Sequence, residues 1–458
     1  MSNESPRAGQ APAGRPNILY LHSHDTGRYT QPFGHAIPMP NYQRLAEEGV
    51  LFRQCFSVGP TCSPSRAGLL TGQWAHSCGQ FGLVNMGFEL EHPERHIAWT
   101  LRNAGYTTAL IGIQHVVRDP ARTGYQEIQG GSRAAAEVAP RAVEFLRRQG
   151  ERRGQGEQPF FLDAGIFETH RMRDRFPDPE PEVSPAEDPR YCLPPPPLPD
   201  TPETRADIAG YKASARILDA AVGQILDALD ETGLAENTLV ILTTDHGIAF
   251  PQMKCNLTDH GTGVLLIMRG PSGFTGGQVI DAMVQQIDLF PTVCDLAGIP
   301  RPGWLQGEAL QPLVNGETQE LHDAIYTEVN FHVAYEPQRA VRTTRWKYIR
   351  RYDEYGKLML SNCDDGLSKD VWLDHDWANR PTDAEQLYDL VFDPQERNNL
   401  AGTPSLGSIQ AELIDRLNRW MRQTQDPLLA GPVPVPEGAR VAPPEQVSPG
   451  GGTRGRAT

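Results

Sequence analysis

Cys62-Ser63-Pro64-Ser65-Arg66, continuing through Ala67-Gly68-Leu69-Leu70-Thr71-Gly72, places a thiol, two hydroxyls and a guanidinium within one short polar stretch. The apolar residues that follow read as a helix start, with Ser63 or Ser65 available to cap it. A reactive group placed there sits at the positive end of a helix dipole, where anions bind. Three ordinary readings compete for Cys62. A lone cysteine is usually a small buried hydrophobe. A phosphatase-type thiolate loop needs an arginine six positions on, where this chain has Gly68. A zinc site needs a paired cysteine or a spaced histidine, and neither stands nearby.

Acids, bases and ligands that could join Cys62 lie at the ends of strand-like runs. Residues 17–21 (Asn-Ile-Leu-Tyr-Leu) end at His22-Ser23-His24-Asp25. Residues 107–112 lead to Ile113-Gln114-His115, and 159–164 lead to Glu168-Thr169-His170-Arg171. The most apolar run, 238–244, ends at Asp245-His246-Gly247, with Lys254 beyond it and another strand at 263–268. The carboxyl ends of strands are where open α/β sheets build their sites.

Between these runs, 41–48 reads as a helix stopped by Gly49. Ile208, Tyr211, Ala215, Leu218, Val222, Ile225 and Leu229 form the apolar stripe of a longer helix closed by Gly233. That stripe is core packing without chemistry. Residues 173–202 are rich in proline and acids, and read as a surface loop beside the cleft. Beyond about residue 330 the texture changes: strands are expected at 340–350 and 385–390. A helix is expected at 405–422, with Ile409, Leu413, Leu417 and Trp420 on one face. The fold class is α/β, a large mostly parallel sheet flanked by helices, with a smaller α+β C-terminal domain. The divisions expected are a disordered N-terminus at 1–14, a catalytic domain at 15–335, the smaller domain at 336–426, and a disordered Pro/Gly-rich tail at 427–458.

The chain has 458 residues and a net charge of −15, which argues against nucleic acid or an anionic membrane as partner. An anionic substrate would need a local cluster of cations. No apolar run approaches a membrane span, and Met1 to Arg15 lacks the apolar core of a secretory signal. Seven cysteines, scattered at 55, 62, 78, 192, 255, 294 and 363, form no disulfide framework. A cytoplasmic location is therefore expected, and a homo-oligomer is left open.

The C-x-P-S-R run followed by T-G resembles the signature of the type I sulfatases, formylglycine-dependent members of the alkaline phosphatase superfamily. The resemblance extends over roughly residues 15 to 425. Pro16-Asn17-Ile18 matches the family's opening. Asp25 matches its second acidic ligand, while His24 stands where the first acid is usual. His115 matches the histidine of G-K-x-H, with Ile113 in place of the lysine. His170, Asp245-His246-Gly247, Lys254 and the segment 285–298 also match. Residues 24–29, 254–257 and 328–332 resemble the sulfamidase branch of the family.

The resemblance implies that a formylglycine-generating enzyme converts Cys62 to the formylglycine nucleophile. By the same resemblance Arg66 holds its hydrate, His115 acts as base, and His170 with Lys254 serves the leaving oxygen. His24, Asp25, Cys62, Asp245 and His246 would hold one divalent metal, with calcium expected on family grounds. Two imidazoles shift the preference toward manganese or zinc. His24 and Ile113 remove one anion and one cation, so together they leave the pocket's charge nearly unchanged. The substrate expected is a small anionic sulfated sugar or aryl sulfate, cleaved at a sulfate ester or sulfamate. A phosphonate monoester or phosphodiester hydrolase of the same superfamily is the competing enzyme. A non-catalytic binding protein on this fold is disfavoured by the intact Cys62, Arg66, His115, His170 and Lys254.

Overall fold

The computed structural model of the chain describes residues 14–152, 158–177, 184 and 186–451. The expected disordered N-terminus, apart from Gly14, lies outside them, as does part of the proline-rich loop. At the centre of the large sheet is β1 (Asn17–His22), which is buried along its whole length. In chain order there follow β2 (Val50–Phe56), β3 (Thr107–Gly112), β4 (Glu127–Gln129), β5 (Phe160–Gly165) and β6 (Thr238–Thr243). The sheet is completed by β7 (Gly263–Val264), β8 (Leu266–Arg269) and β9 (Gln278–Gln285). The strands lie in the order β4-β3-β5-β1-β6-β8-β2-β7, with β9 also on β2. Five pairings are parallel and three, all involving β7 or β8, are antiparallel. The sheet is thus mixed, and the single strand expected at 263–268 is broken at Leu265.

Side chains alternate across a strand, so β1 serves two helical layers at once. Leu19 and Leu21 pack on α1 (Pro40–Glu48), α4 (Ala135–Glu151) and α5 (Pro202–Glu231), reached after α2 (Cys62–Thr71) and α3 (Ile97–Asn103). Ile18 and Tyr20 face α2, α3 and, past the single turn α6 (Asp259–Thr262), α7 (Leu289–Ala297). The long helix starts six residues before the expected Ile208. Thr201 caps it through a capping box and Pro202 occupies its first turn. Proline is well suited to that position, because its missing N–H has no helical partner to lose. Thr232, rather than Gly233, is its C-cap.

After α8 (Gln311–Val314), a second, antiparallel sheet begins with β10 (Ile325–Phe331), ahead of the 335/336 division expected. It continues through β11 (Tyr335–Arg342), β12 (Trp346–Arg351), α9 (Leu367–Asp374) and β13 (Glu385–Asp389). The strand expected at 340–350 is therefore the inner half of a hairpin. One face of this sheet packs on α10 (Gly407–Gln423) through Leu413, Leu417, Trp420 and Met421. Ile409 contributes only as a half-buried neighbour. No helix is long and apolar enough to cross a membrane among the described residues.

The stretch from Pro427 to Gly451 corrects the expectation of a disordered tail. Val433 is buried against Phe88 and Phe331. The Ala442 amide donates to the Val333 carbonyl at 2.8 Å and the Arg440 amide to that of Met86 at 2.7 Å. Such a segment is too poor in apolar residues to form a core of its own. It is ordered by borrowing apolar surface and backbone acceptors already in place.

A buried charge cluster anchors the start of that segment. Arg339 meets Asp426 through Nε–Oδ2 at 2.5 Å and Nη2–Oδ1 at 2.9 Å. It also lies 3.5 Å from Glu328, whose other oxygen is 2.8 Å from His76 Nδ1. Burial alone would raise the Glu328 pKa, but His76 and Arg339 hold it at about 2. Removing one partner of a buried pair costs about 3–5 kcal/mol, so Arg339→Leu should lower unfolding free energy by that amount in denaturant titrations. A loss below about 1 kcal/mol, the scale of exposed pairs, would show that the cluster does not hold the segment. Because the folded pKa of Glu328 is depressed, its contribution is complete above 4.5 and is lost as pH falls toward about 2.

Candidate active site

Five donor-bearing side chains converge where β1, β6 and α2 meet. Ligand atoms of His24, Asp25, Cys62, Asp245 and His246 all lie within 4.8 Å of one another, and all five residues are buried. β1 ends at His22, so His24 and Asp25 leave the sheet together; Asp25 turns back with φ 56°. Aspartate tolerates this left-handed conformation better than branched residues do. The turn brings the Asp25 amide to Asp245 Oδ1 at 2.9 Å. His24 Nδ1 lies 2.7 Å from Asp25 Oδ1 and 3.2 Å from Asp245 Oδ2. His246 Nδ1 faces the Gly247 carbonyl at 3.0 Å, which leaves Nε2 free to point inward. There Nε2 is 3.3 Å from Cys62 Sγ and 3.3 Å from Asp25 Oδ1.

Cys62 is the first residue of α2, in a helix whose ten residues are all buried. The expected serine cap is not formed: the N-cap is Thr61, and no side chain caps the helix. Ser63 and Ser65 tie α2 to its neighbours instead. Ser63 Oγ accepts from the Val84 amide at 3.1 Å. Ser65 Oγ donates to the Asp245 carbonyl at 2.5 Å, beside Gln286 Oε1 at 3.1 Å. Arg66 Nη2 bonds Asp245 Oδ2 at 3.0 Å and the Ser23 carbonyl at 2.9 Å, while Nη1 meets His22 Nδ1. Its Nε is buried without a hydrogen-bond partner among the described residues. Burial pushes the Cys62 thiol well above its ordinary pKa, Asp25 and Asp245 add to this, and Lys254 and Arg66 oppose it.

The other three expected residues surround this group. Lys254 Nζ donates to Asp25 Oδ2 at 2.9 Å and lies 2.9 Å from Asp364 Oδ2. Burial works against its charge, but these two carboxylates raise its pKa well above the ordinary value. His170 Nε2 is 3.8 Å from Asp25 Oδ2, with Nδ1 donating to the Arg171 carbonyl at 2.7 Å. His115, with φ 57°, has its ring 6.1 Å from that of His24. Its Nε2 is 3.2 Å from Asn85 Oδ1, and its Nδ1 is buried without a partner among the described residues. Burial pushes its pKa well below the ordinary value, with His24, Arg66 and Arg133 adding to the effect. Ile113 is packed away at 2% exposure, so the position expected of a lysine offers no polar contact.

Several residues of the site were not singled out from sequence. His22 Nε2 binds Asp163 Oδ1 at 2.8 Å, and Tyr125 hydrogen-bonds the other Asp163 oxygen. Asp163 had a visible signal, a carboxylate inside the apolar run of β5. Asn85 sits in a short 3-10 turn, Val84–Met86, and had none. Asp364 and His332 reach the site from the small-sheet side. Burial takes the His332 pKa down to about 3, with Lys254 adding to the effect.

The chain is similar to several known proteins. The human N-sulphoglucosamine sulphohydrolase is 29% identical to this chain, over 91% of it and 92% of that protein. An ulvan-active sulfatase from Formosa agariphila is 28% identical, over 90% of this chain and 76% of its own. Among solved structures, yidJ of Bacteroides fragilis covers 94% of this chain and 100% of its own with a TM-score of 0.75 at 20% identity. BT4656, solved with its substrate D-glucosamine-2-N,6-O-disulfate, covers 90% of this chain and 98% of its own at a TM-score of 0.68 and 20% identity. The C-terminal N-sulphoglucosamine sulphohydrolase family model matches residues 254–371. The sulfatase family model matches residues 16–299, more than half of the sequence, and this chain belongs to that family of sulfuric ester hydrolases.

Proposed function

We propose that this sulfatase removes the sulfate or sulfamate group of a saccharide through a formylglycine formed from Cys62 and one divalent metal. The observation that carries the reading is the position of Cys62 Sγ inside the ligand cluster, 3.3 Å from His246 Nε2 and at the first turn of a helix. The names of the relatives, an N-sulphoglucosamine sulphohydrolase and ulvan-active sulfatases, support a sulfated sugar as substrate.

A formylglycine hydrate supplies one hydroxyl to attack sulfur and a second whose deprotonation releases sulfate and restores the aldehyde. A formylglycine-generating enzyme would have to act on Cys62 first. In this reading Arg66 orients the nucleophile: its two terminal nitrogens are held by Asp245, Ser23 and His22, and Nε is the donor left over. His115 takes the proton of the second hydroxyl. With Asn85 Oδ1 accepting from Nε2, the lone pair is on Nδ1, the atom without a partner. His170 and the charged Lys254 face the leaving oxygen, where a proton is needed.

The donor set fits a divalent metal. Asp25 and Asp245 bring oxygen, and His24 and His246 present imidazole nitrogens to the same small space. Burial takes the His24 pKa down to about 3, so this ring is neutral and able to bind a metal. A metal held there would polarise the sulfate and offset the charge gathering on its oxygens. Calcium is the family expectation, but two imidazoles beside two carboxylates suit manganese or zinc better.

Mass spectrometry of the peptide containing Cys62 should show the aldehyde or its hydrate, and Cys62→Ala should lower kcat by about 10^4-fold or more. Full turnover of sulfated sugars by protein holding only the thiol would overturn the mechanism. A phosphonate monoester turned over faster than any sulfated sugar would move the assignment to the competing hydrolase.

Metal analysis should find about one equivalent of a divalent ion per chain, lost from Asp245→Ala and His246→Ala together with activity. After chelation, manganese or zinc should restore the melting temperature more than calcium does. His24→Asp should reverse that order. An unchanged order would remove His24 from the ligand set, and metal retained in both alanine variants would place the ion elsewhere.

A further inference from the structure

Beside His115 lies a cavity of about 520 Å3 whose wall includes His115, Arg118, Arg133 and Arg440 and, among the described residues, not one carboxylate. Its size falls within the range of about 300–1,000 Å3 usual for small-molecule sites. In a chain of net charge −15 this is a local reversal of sign. Arg118 is balanced by Glu89 at 3.3 Å, a residue outside the wall. Arg133 and Arg440 are exposed, and neither forms an ion pair among the described residues. Uncompensated guanidiniums in a concave wall are suited to bind a planar or tetrahedral anion through paired N–H donors.

The position of Arg440 is built into the fold. Its amide donates to the Met86 carbonyl at 2.7 Å and its Nη2 to the Asn85 carbonyl at 3.0 Å. Gly87, with φ 102°, lets the C-terminal segment lie this close, since a Cβ there would stand 2.6 Å from Ala439 Cα. The Asn85 side chain meets His115. One short turn therefore joins the end of the chain to the histidine that borders both the cavity and the metal cluster. None of the five cluster residues lines the cavity, so an anion held there is distinct from the group reacting at Cys62.

We propose that this cavity is a subsite for a second anionic group of the substrate, a further sulfate or a carboxylate, bound by Arg133 and Arg440. The proposal rests on the saccharide sulfohydrolase reading above and narrows its substrate to polyanionic sugars.

The test compares kcat/KM for glucosamine-2-N-sulfate, glucosamine-2-N,6-O-disulfate and an N-sulfoglucosamine–uronate disaccharide. The wild-type chain should favour at least one doubly anionic substrate by about 10-fold or more, mainly through KM. Arg133→Ala and Arg440→Ala should each remove most of that preference, although they stand on separate segments, and Arg440→Lys should keep part of it. Arg422→Ala, an equal charge change at an exposed residue of α10 outside the cavity wall, should leave the preference intact. The sulfate and carboxylate arms identify which anion is bound. Calorimetric binding to the Cys62→Ala chain reads the same preference without turnover. Absence of turnover on every substrate, with the binding preference present, would fail the chemistry and keep the subsite. Equal binding of singly and doubly anionic sugars, or a preference unmoved in both alanine variants, would overturn the subsite.

Discussion

Asp25 and Asp245 are buried within a few ångströms of each other, and two carboxylates in a dry space repel unless cations face them. Much of the surrounding structure answers that requirement. Arg66 reaches Asp245 from α2, and Lys254 reaches Asp25 from the connection after β6. Both acids are held well below the ordinary carboxylate range: burial works against this, and Arg66 for Asp245 and Lys254 for Asp25 overcome it. The same charges make the place attractive to a metal, which needs ionised ligands already gathered. Arg66 has its own support in the line His22–Asp163–Tyr125, which carries the counter-charge back to the next strands of the sheet.

Seen this way, α2 is as much a bracket as a carrier of Cys62. Ser65 fixes the helix to the backbone of Asp245, Arg66 to its side chain, and Ser63 to the turn that holds Asn85. These three polar contacts therefore set the distance between Cys62, the end of β6 and His115. A helix packed by apolar contacts alone could slide by a fraction of an ångström without great loss. One pinned by charge-assisted hydrogen bonds in a buried setting cannot.

Much of this was legible in the sequence because buried strands advertise themselves. The apolar runs at β1, β3, β5 and β6 end where polar residues begin, and those residues, His24, Asp25, His115, His170 and Asp245, are the ones that meet. What escaped was held by contacts without a period. Asn85, in a short 3-10 turn, and Asp364, in an irregular polar stretch, are placed by tertiary packing rather than by a local pattern. β9 alternates half-buried and exposed residues before entering the core, so its strand character is divided between two environments. Ser63 and Ser65 had the right chemistry for capping, yet their hydroxyls found stronger partners across the fold. Pro202 read as the end of a loop because proline punctuates both loops and helix starts.

The ordering of Pro427–Gly451 on the finished fold has a consequence for how such a protein diverges. His24, Asp25, Cys62, Asp245 and His246, whose ligand atoms gather within 4.8 Å of one another, come from the first two-thirds of the chain, and all are buried. The wall beyond His115 is closed by residues near the other end, held by backbone hydrogen bonds and little buried surface. Replacing side chains there disturbs no core and unpairs no buried charge, so the stability threshold that restrains most substitutions applies weakly. Selection can therefore rewrite what the pocket recognises while leaving what it does untouched, and relatives with the same reactive centre are free to part company at their C-termini.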